Sequence, residues 1–117
     1  MSFRFEKLDV WKMASSYDNL VFELSKKFPK GELFGLTAQI RGASLSISSN
    51  IAEGSGGDST AAFKRCLNNA IGSTFETVSQ LCIAKDRGYL TDGEFGKVYG
   101  EAEVLVRKIT ALRNNLQ

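Results

Sequence analysis

The hydrophobic residues of the chain recur three and four positions apart along four separate segments. In the first segment, from about Leu8 to Phe28, the apolar stripe is Trp11, Ala14, Tyr17, Val21, Leu24 and Phe28. This spacing places the stripe on one side of an α-helix. Pro29, the single proline, lacks a backbone donor and ends this helix before the next one begins.

The second segment is unusual because it carries almost no charge. We predict that this helix begins between Gly31 and Leu36 and ends near Gly54, and its stripe is Leu36, Ile40, Ala43, Ile47 and Ile51. Between positions 33 and 57 the only ionisable side chains are Arg41 and Glu53. A helix with one side in water normally carries more charge. We therefore expect further copies of the chain to cover the side that the bundle leaves open.

Two more helices follow, each with a start signal. Asp58 or Ser59 is expected to cap the third helix, which Gly88 ends. Thr91 followed by Glu94 is a capping-box pattern at the start of the fourth. The third stripe is Phe63, Leu67, Ala70, Thr74, Val78 and Leu81, and the fourth is Phe95, Val98, Ala102, Leu105, Ile109, Leu112 and Leu116. Short connections between four such helices predict an all-α, antiparallel up-down four-helix bundle.

The composition agrees with one globular domain that spans residues 1–117. Hydrophobic residues make up 43% of the chain and charged residues 24%, which is the balance of an ordinary globular protein. The formal net charge of +2 neither requires nor excludes a nucleic-acid partner. No apolar run reaches the roughly 18 residues of a membrane span, and the N-terminus lacks the apolar stretch of a signal peptide. We expect a cytoplasmic protein with no membrane partner.

The residue types exclude much catalytic and metal chemistry. The chain has no histidine, so it lacks the commonest general base and the Glu-x-x-His pairs of di-iron bundles. Cys66 and Cys82 are sixteen positions apart on one predicted helix, which is too far for a disulfide within that helix. We interpret both as buried free thiols. No catalytic residue, metal site or cofactor is predicted, and the protein is expected not to be an enzyme.

Polar residues beside the stripes suggest a different role. Asn50, Glu53, Glu76 and Gln80 lie on or next to the apolar positions, where helical spacing can bring some of them together. The favoured interpretation places Leu45, Asn50, Glu53 and Glu76 in a subunit interface or a buried polar network that sets helix register. The alternative is a small-molecule enzyme that uses both carboxylates, which would require a concave polar pocket.

Six basic residues are candidates for contacts with phosphate groups if the fold gathers them into one patch. They are Arg4, Lys7, Lys12, Arg41, Lys64 and Arg65. Each one alone is ordinary surface charge, and the acidic residues Glu6 and Asp9 dilute the first group. Repetition of the patch by oligomerisation would strengthen it.

Several stretches of the chain resemble a known family. They are FEKLDVWKMA, FPKGELFGLTAQIRGASLSISSNIAEGSG, AIGSTFETVSQLCIAK and RGYL, and they resemble the four-helix-bundle family of 23S ribosomal RNA intervening-sequence proteins. The resemblance implies a ring-shaped homopentamer encoded in bacterial genomes, in some cases inside ribosomal RNA genes. This chain has Gly42, and Gly56 with Gly57, where the family usually carries basic residues, so two candidate phosphate contacts are absent.

These observations lead to one main hypothesis and one alternative. The main hypothesis is a non-enzymatic homo-oligomeric scaffold that binds RNA or DNA through basic side chains repeated around a ring. The alternative is a protein–protein adaptor for a nucleic-acid enzyme, or a purely structural oligomer.

Overall fold

The computed structural model describes residues 2–117 as four helices joined by short turns. The helices are α1 (Asp9–Ser25), α2 (Ala38–Ser55), α3 (Thr60–Asp86) and α4 (Asp92–Asn115). A 3-10 turn at Arg4–Lys7 precedes α1, and two turns, Lys30–Glu32 and Leu33–Thr37, lie between α1 and α2. Residues 2–117 contain no β-strand. The all-α four-helix architecture predicted from the hydrophobic pattern is confirmed.

Short connections make the neighbouring helices antiparallel. Only residues 56–59 join α2 to α3 and residues 87–91 join α3 to α4, and so few residues cannot span the roughly 40 Å length of a 27-residue helix. Each helix therefore begins at the end where the previous one stops. The Arg41 side chain near the start of α2 contacts Ser25 at the end of α1, so this pair is antiparallel too. Contacts between α1 and α4 close the bundle.

The predicted stripes form the core, with small changes at its edges. The fully buried positions include Tyr17, Ile47, Leu67 and Ile109, one from each stripe. Val78 of the third stripe is only partly buried. Of the two cysteines, Cys66 is buried as expected, but Cys82 is exposed. The interpretation of Cys82 as a buried thiol was wrong, because this residue lies outside the stripe of α3.

The capping residues predicted for α3 and α4 form the expected hydrogen bonds. The hydroxyl oxygen of Ser59 accepts a hydrogen bond from the backbone N–H of Ala62 at 3.1 Å. Thr91 and Glu94 form the complete capping box, with each side chain accepting from the backbone N–H of the other residue. Both caps satisfy backbone donors that have no partner inside the helix.

The start of α2 is more irregular than the pattern indicates. Leu33–Thr37 forms a single wide π-type turn, and Gly35 lies there with φ −114° and ψ −111°, outside the helical region. The neighbouring side chain of Phe34 is 93% exposed. Regular α-helix begins only at Ala38, so the turn presents an aromatic ring to solvent at this end of the bundle.

Glycine allows α2 and α3 to approach each other closely. A Cβ added to Gly54 would lie 2.7 Å from Cys66 Cβ and 2.8 Å from Phe63 Cδ1, much closer than carbon atoms pack. Only a residue without a side chain fits between these helices at that point. The α2–α3 pairing is the most extensive in the bundle.

Candidate functional sites

Ion pairs cluster at the end of the bundle where α1 and α3 stop and α2 and α4 begin, which we call the ion-paired end. They are Lys26–Glu23 at 3.0 Å, Lys27–Glu94, Lys85–Asp92 at 3.8 Å and Arg87–Glu32 at 2.6 Å. Residues of all four helices or of their connecting turns take part. The pairs neutralise most of the basic side chains at this end.

Two carboxyl groups at the ion-paired end are held in their charged form. The Tyr89 hydroxyl donates to Glu32 Oε2 at 2.8 Å, and together with Arg87 it holds the pKa of Glu32 below its usual value. The Lys27 ammonium group and the backbone N–H of Thr91 likewise lower the pKa of Glu94. Both shifts follow from donors that stabilise the carboxylate.

The opposite end, where α1 and α3 begin and α2 and α4 stop, has a surplus of positive charge, and we call it the basic end. Its basic residues are Arg4, Lys7, Lys12, Lys64, Arg65, Arg107, Lys108 and Arg113, and its acidic residues are Glu6, Asp9, Glu53 and Asp58. Within residues 2–117, none of these basic side chains takes part in an ion pair. This end of the bundle therefore presents uncompensated cations.

The fold brings five of the six predicted phosphate-contacting residues to the basic end and separates the sixth. Arg4 donates to the backbone oxygen of Ser55 at 3.4 Å and lies over the Phe63 ring. Lys7, Lys12 and Arg65 are exposed, and Lys64 is half-buried.

Arg41 is the exception. It lies at the ion-paired end, where its Nε donates to Ser25 Oγ at 2.7 Å and its guanidinium group lies 4.4 Å from the centre of the Phe22 ring. Most of the bundle therefore separates Arg41 from the other five, because α2 runs antiparallel to α1. It is not part of the patch that the sequence was expected to form.

The contribution of α4 to the basic end was not predicted. Arg107, Lys108 and Arg113 lie in the second half of this helix, and Arg113 donates to Asn68 of α3 at 2.9 Å. An antiparallel α4 necessarily stops beside the starts of α1 and α3. The predicted topology was the signal that could have found these residues.

The residues assigned to a buried network or an interface lie at the surface of the subunit. Leu45, Glu53 and Glu76 are exposed, and Asn50 is half-buried and donates to the backbone oxygen of Ser46 at 2.8 Å. Glu76 accepts a long hydrogen bond from Gln80, at 3.4 Å. They therefore form no buried network within one chain, and their role in a subunit interface stays a prediction.

The outward side of α2, the α2 outer face, consists of Ala38, Gly42, Leu45, Ser49 and Glu53. All five are exposed, and they recur three or four positions apart. Leu45 is 56% exposed, and a Cβ at Gly42 would meet nothing within 4 Å. Because Arg41 turns inward onto Phe22, Glu53 is the only charge on this face. The charge-poor segment seen in the sequence is thus open to solvent in the single chain.

A groove of about 360 Å³ lies on a different side, between α3 and α4. Phe75, Val78, Tyr99 and Val106 contribute apolar surface to it, and Phe75 is 64% exposed. Charged groups flank the apolar part: Glu103 and Arg107 also line the groove. We call this feature the α3/α4 groove.

A larger crevice of about 660 Å³ lies between α1 and α4, and we call it the α1/α4 crevice. Tyr17 lines it, and burial raises the pKa of this tyrosine to about 12, with a further rise from the nearby negative charge of Glu101. Glu101 Oε2 is buried and has no hydrogen-bond partner within residues 2–117. Tyr17 belongs to the core, as its stripe predicts. Glu101 was not predicted as a site residue, although its position beside Ala102 of the fourth stripe was a signal for it.

The described helices offer neither a cluster of metal ligands nor a membrane-spanning segment. Residues 2–117 contain no cluster of three or more cysteine, aspartate or glutamate side chains that could hold a metal ion. None of the helices in that part of the chain combines the length and apolar character needed to cross a bilayer. Glu53 and Glu76, the carboxylates considered for catalysis, line neither of the two cavities described above.

Comparisons with known proteins agree with the fold. A family model described as 23S rRNA-intervening sequence protein matches residues 6–111. A solved structure from Bacteroides thetaiotaomicron, described as a protein with unknown function from the S23 ribosomal protein family, superimposes with a TM-score of 0.82. It shares 21% sequence identity, and the match covers 89% of this chain and 97% of that one. No curated protein matches the chain.

Proposed function

Because this chain belongs to the family of 23S rRNA-intervening sequence proteins, we propose that it is a non-enzymatic, homo-oligomeric scaffold that binds RNA or DNA. The observation that carries the proposal is the separation of charge along the bundle. Ion pairs engage four cations of the ion-paired end, Lys26, Lys27, Lys85 and Arg87, whereas cations outnumber acidic groups at the basic end. A polyanion therefore finds the larger group of unpaired cations at the basic end.

A single copy of the basic end is a weak site. Each phosphate contact contributes modestly, and salt competes for it by counterion condensation. Several copies held at fixed spacing raise the effective concentration of the remaining contacts once the first has formed. Oligomerisation is therefore an essential part of the proposed function.

Two separate surfaces support self-association. The α2 outer face carries one charge and an exposed leucine, and the α3/α4 groove carries an exposed phenylalanine. Because they lie on different sides of the chain, a contact that joins one to the other is head-to-tail, and such contacts form a ring when the rotation between subunits closes. The homopentamer implied by the family resemblance has this symmetry.

Salt-titrated binding tests the nucleic-acid proposal. We expect the protein to bind mixed-sequence single-stranded RNA or DNA at low salt, with affinity that falls steeply as salt is added. The double variant Lys64→Gln/Arg65→Gln removes two cations of the basic end. If both touch phosphate, the slope of log K against log salt shrinks by about 1.4 for a single strand.

The matched control is Lys26→Gln/Lys30→Gln, which removes the same charge at the ion-paired end and is expected to bind almost as the unmodified protein does. Equal losses in both variants would mean that net charge alone drives binding. Absence of binding at low salt would overturn the nucleic-acid proposal.

Sedimentation tests the assembly. The unmodified protein is expected at five times the 12.8 kDa of one chain, and Leu45→Asp and Phe75→Asp are each expected to reduce the mass to that of a monomer. A mixture of the two variants then restores one contact, since each keeps the surface that the other lost, so heterodimers form. A monomeric unmodified protein at high concentration would overturn self-association, and a mixture that stays monomeric would overturn the head-to-tail contact.

The adaptor function remains the second candidate because of one observation at the ion-paired end. The Phe34 ring in the Leu33–Thr37 turn is 93% exposed and follows Leu33, which is also exposed. Exposed aromatic rings often anchor protein partners. Under this candidate, Phe34→Ser abolishes binding of a protein partner, whereas Lys64→Gln/Arg65→Gln has no effect on it.

A further inference from the structure

Two residues that line the α1/α4 crevice, Tyr17 and Glu101, each have an oxygen atom that can accept hydrogen bonds but receives none. Tyr17 Oη lies 2.7 Å from Thr77 Oγ1, and Thr77 donates its own hydroxyl proton to the backbone oxygen of Thr74, also at 2.7 Å. A threonine hydroxyl has only one proton, so Tyr17 must be the donor in the first bond. The Tyr17 oxygen can then only accept further hydrogen bonds.

Glu101 supplies the second acceptor. Its Oε2 is buried without a partner within residues 2–117, and the committed proton of Tyr17 cannot satisfy it. A buried carboxylate oxygen without a donor is costly, because it has lost its hydration and gained nothing in return. The two groups line the same crevice, and the charge of Glu101 is close enough to raise the pKa of Tyr17. The unpaired oxygen of Glu101 therefore calls for a ligand group that carries N–H donors.

The space in front of these acceptors is kept open by two glycines. Gly96 and Gly100 are one helical turn apart in α4 and line the crevice. A Cβ at either position would meet nothing within 4 Å. No neighbour inside the subunit therefore requires glycine there, although glycine destabilises a helix interior relative to alanine. The crevice volume of about 660 Å³ lies in the range of small-molecule sites.

The charges that line the crevice define the ligand further. Glu101 attracts a cationic nitrogen group, whereas Lys12 and Lys97 line the same crevice and attract an anionic one. A polycation would be repelled by the lysines, and a simple anion would leave Glu101 without a donor. A molecule with one positive and one negative pole satisfies both.

We propose that the α1/α4 crevice binds a small zwitterionic molecule, with an ammonium or guanidinium group on Glu101 and a carboxylate or phosphate group on Lys12 and Lys97. The site shares Lys12 with the basic end, but the proposal does not rest on nucleic-acid binding. Binding of the zwitterion requires only that the bundle be folded.

The test uses the full chain labelled with ¹⁵N and monitored by NMR, with four small-molecule probes. L-Arginine and phosphoethanolamine carry both poles, one with a carboxylate and the other with a phosphate. Agmatine lacks the anionic pole, and ethyl phosphate, which is phosphoethanolamine without its ammonium group, lacks the cationic pole. We expect saturable shifts at α1 and α4 with at least one of the first two, and binding at least about tenfold weaker for the single-pole probes.

Three variants complete the test. Glu101→Gln removes the charge of the acceptor and is expected to weaken binding of the better probe by about tenfold or more. Glu103→Gln removes the same charge two residues away, on the side of the α3/α4 groove, and is expected to bind normally. Gly100→Leu fills the crevice and is expected to abolish binding, with an unchanged helical circular dichroism spectrum showing that the bundle still folds.

Three results would overturn the proposal. The first is no saturable shift with either zwitterion, which would mean that water satisfies Glu101. The second is equal binding by the protein with Glu101→Gln. The third is equal weakening by Glu103→Gln, which would mean a general charge effect. None of them bears on nucleic-acid binding, which Lys64→Gln/Arg65→Gln tests separately.

Discussion

The two ends of the bundle contain similar numbers of basic residues but use them differently. At the ion-paired end, the ends of α1 and α3 carry the cations Lys26, Lys27, Lys85 and Arg87, and the negative ends of the helix dipoles favour cations there. The first turn of α4 carries Asp92 and Glu94, and the positive end of its dipole favours anions. The charges meet across the turns and pair. The basic end lacks such matched partners, and its cations remain available to an external polyanion.

This difference shows that charge counts alone say little about binding. The net charge of the whole chain is only +2, yet one end presents a clear surplus of cations. The ion pairs at the opposite end engage cations there without changing the net charge of the chain. A ring of copies would place all basic ends on one side only if the subunits share one orientation about the ring axis, which cyclic symmetry requires.

The largest expected effect comes from glycine substitutions at the two ends. Gly54→Ala at the basic end would force a Cβ against Cys66 and Phe63, and we expect the free energy of unfolding to fall by about 1–3 kcal/mol. Gly93→Ala at the ion-paired end meets nothing within 4 Å and is expected to raise it by roughly 0.5–1 kcal/mol. Urea unfolding at one fixed protein concentration measures both. Equal changes of the same sign would contradict the close packing of α2 on α3.

A smaller difference is expected between the helix caps at the two ends. Thr91→Ala removes a complete capping box and is expected to cost about 1–2 kcal/mol, whereas Ser59→Ala removes a single hydrogen bond and is expected to cost about 0.5–1 kcal/mol. Thermal unfolding ranks the two variants. A larger loss for Ser59→Ala would show that the ion-paired end depends little on its cap.

The smallest expected effect is on the pH dependence of stability. Because the folded protein holds the pKa of Glu32 and of Glu94 below the usual glutamate value, their contribution to stability is complete above the unfolded pKa of about 4.3 and is lost as the pH falls through the folded values. Stability therefore falls in acid. The double variant Glu32→Gln/Glu94→Gln is expected to flatten the decrease below about pH 4.5.

The control for this measurement is Asp58→Asn at the basic end. Asp58 is exposed in the α2–α3 turn and takes part in none of the ion pairs described within residues 2–117. We expect this variant to keep the slope of the unmodified protein. An unchanged slope in the double glutamate variant would mean that the ion-paired end contributes nothing measurable to stability in acid.

The candidate sites could be predicted only in part, for physical reasons. Arg4, Lys64 and Arg65 share an end because an up-down topology places the starts of α1 and α3 together. Arg41 does not join them because the antiparallel α2 begins at the opposite end of the bundle. There the Phe22 ring and the Ser25 hydroxyl hold its guanidinium group, and this choice of partners depends on which side chains lie within reach after folding, which local spacing cannot reveal.

The sequence by itself determined the four helices, the caps of α3 and α4 and most of each buried stripe, because hydrophobic periodicity and backbone capping act within a few residues. It also showed that α2 carries too little charge for a fully solvated helix. Only the tertiary structure decided that Val78 is half-buried, that Arg41 packs on Phe22 and that Glu101 Oε2 is buried without a donor within residues 2–117. These outcomes depend on how one helix is rotated and shifted against another, a geometry set by packing of the whole core.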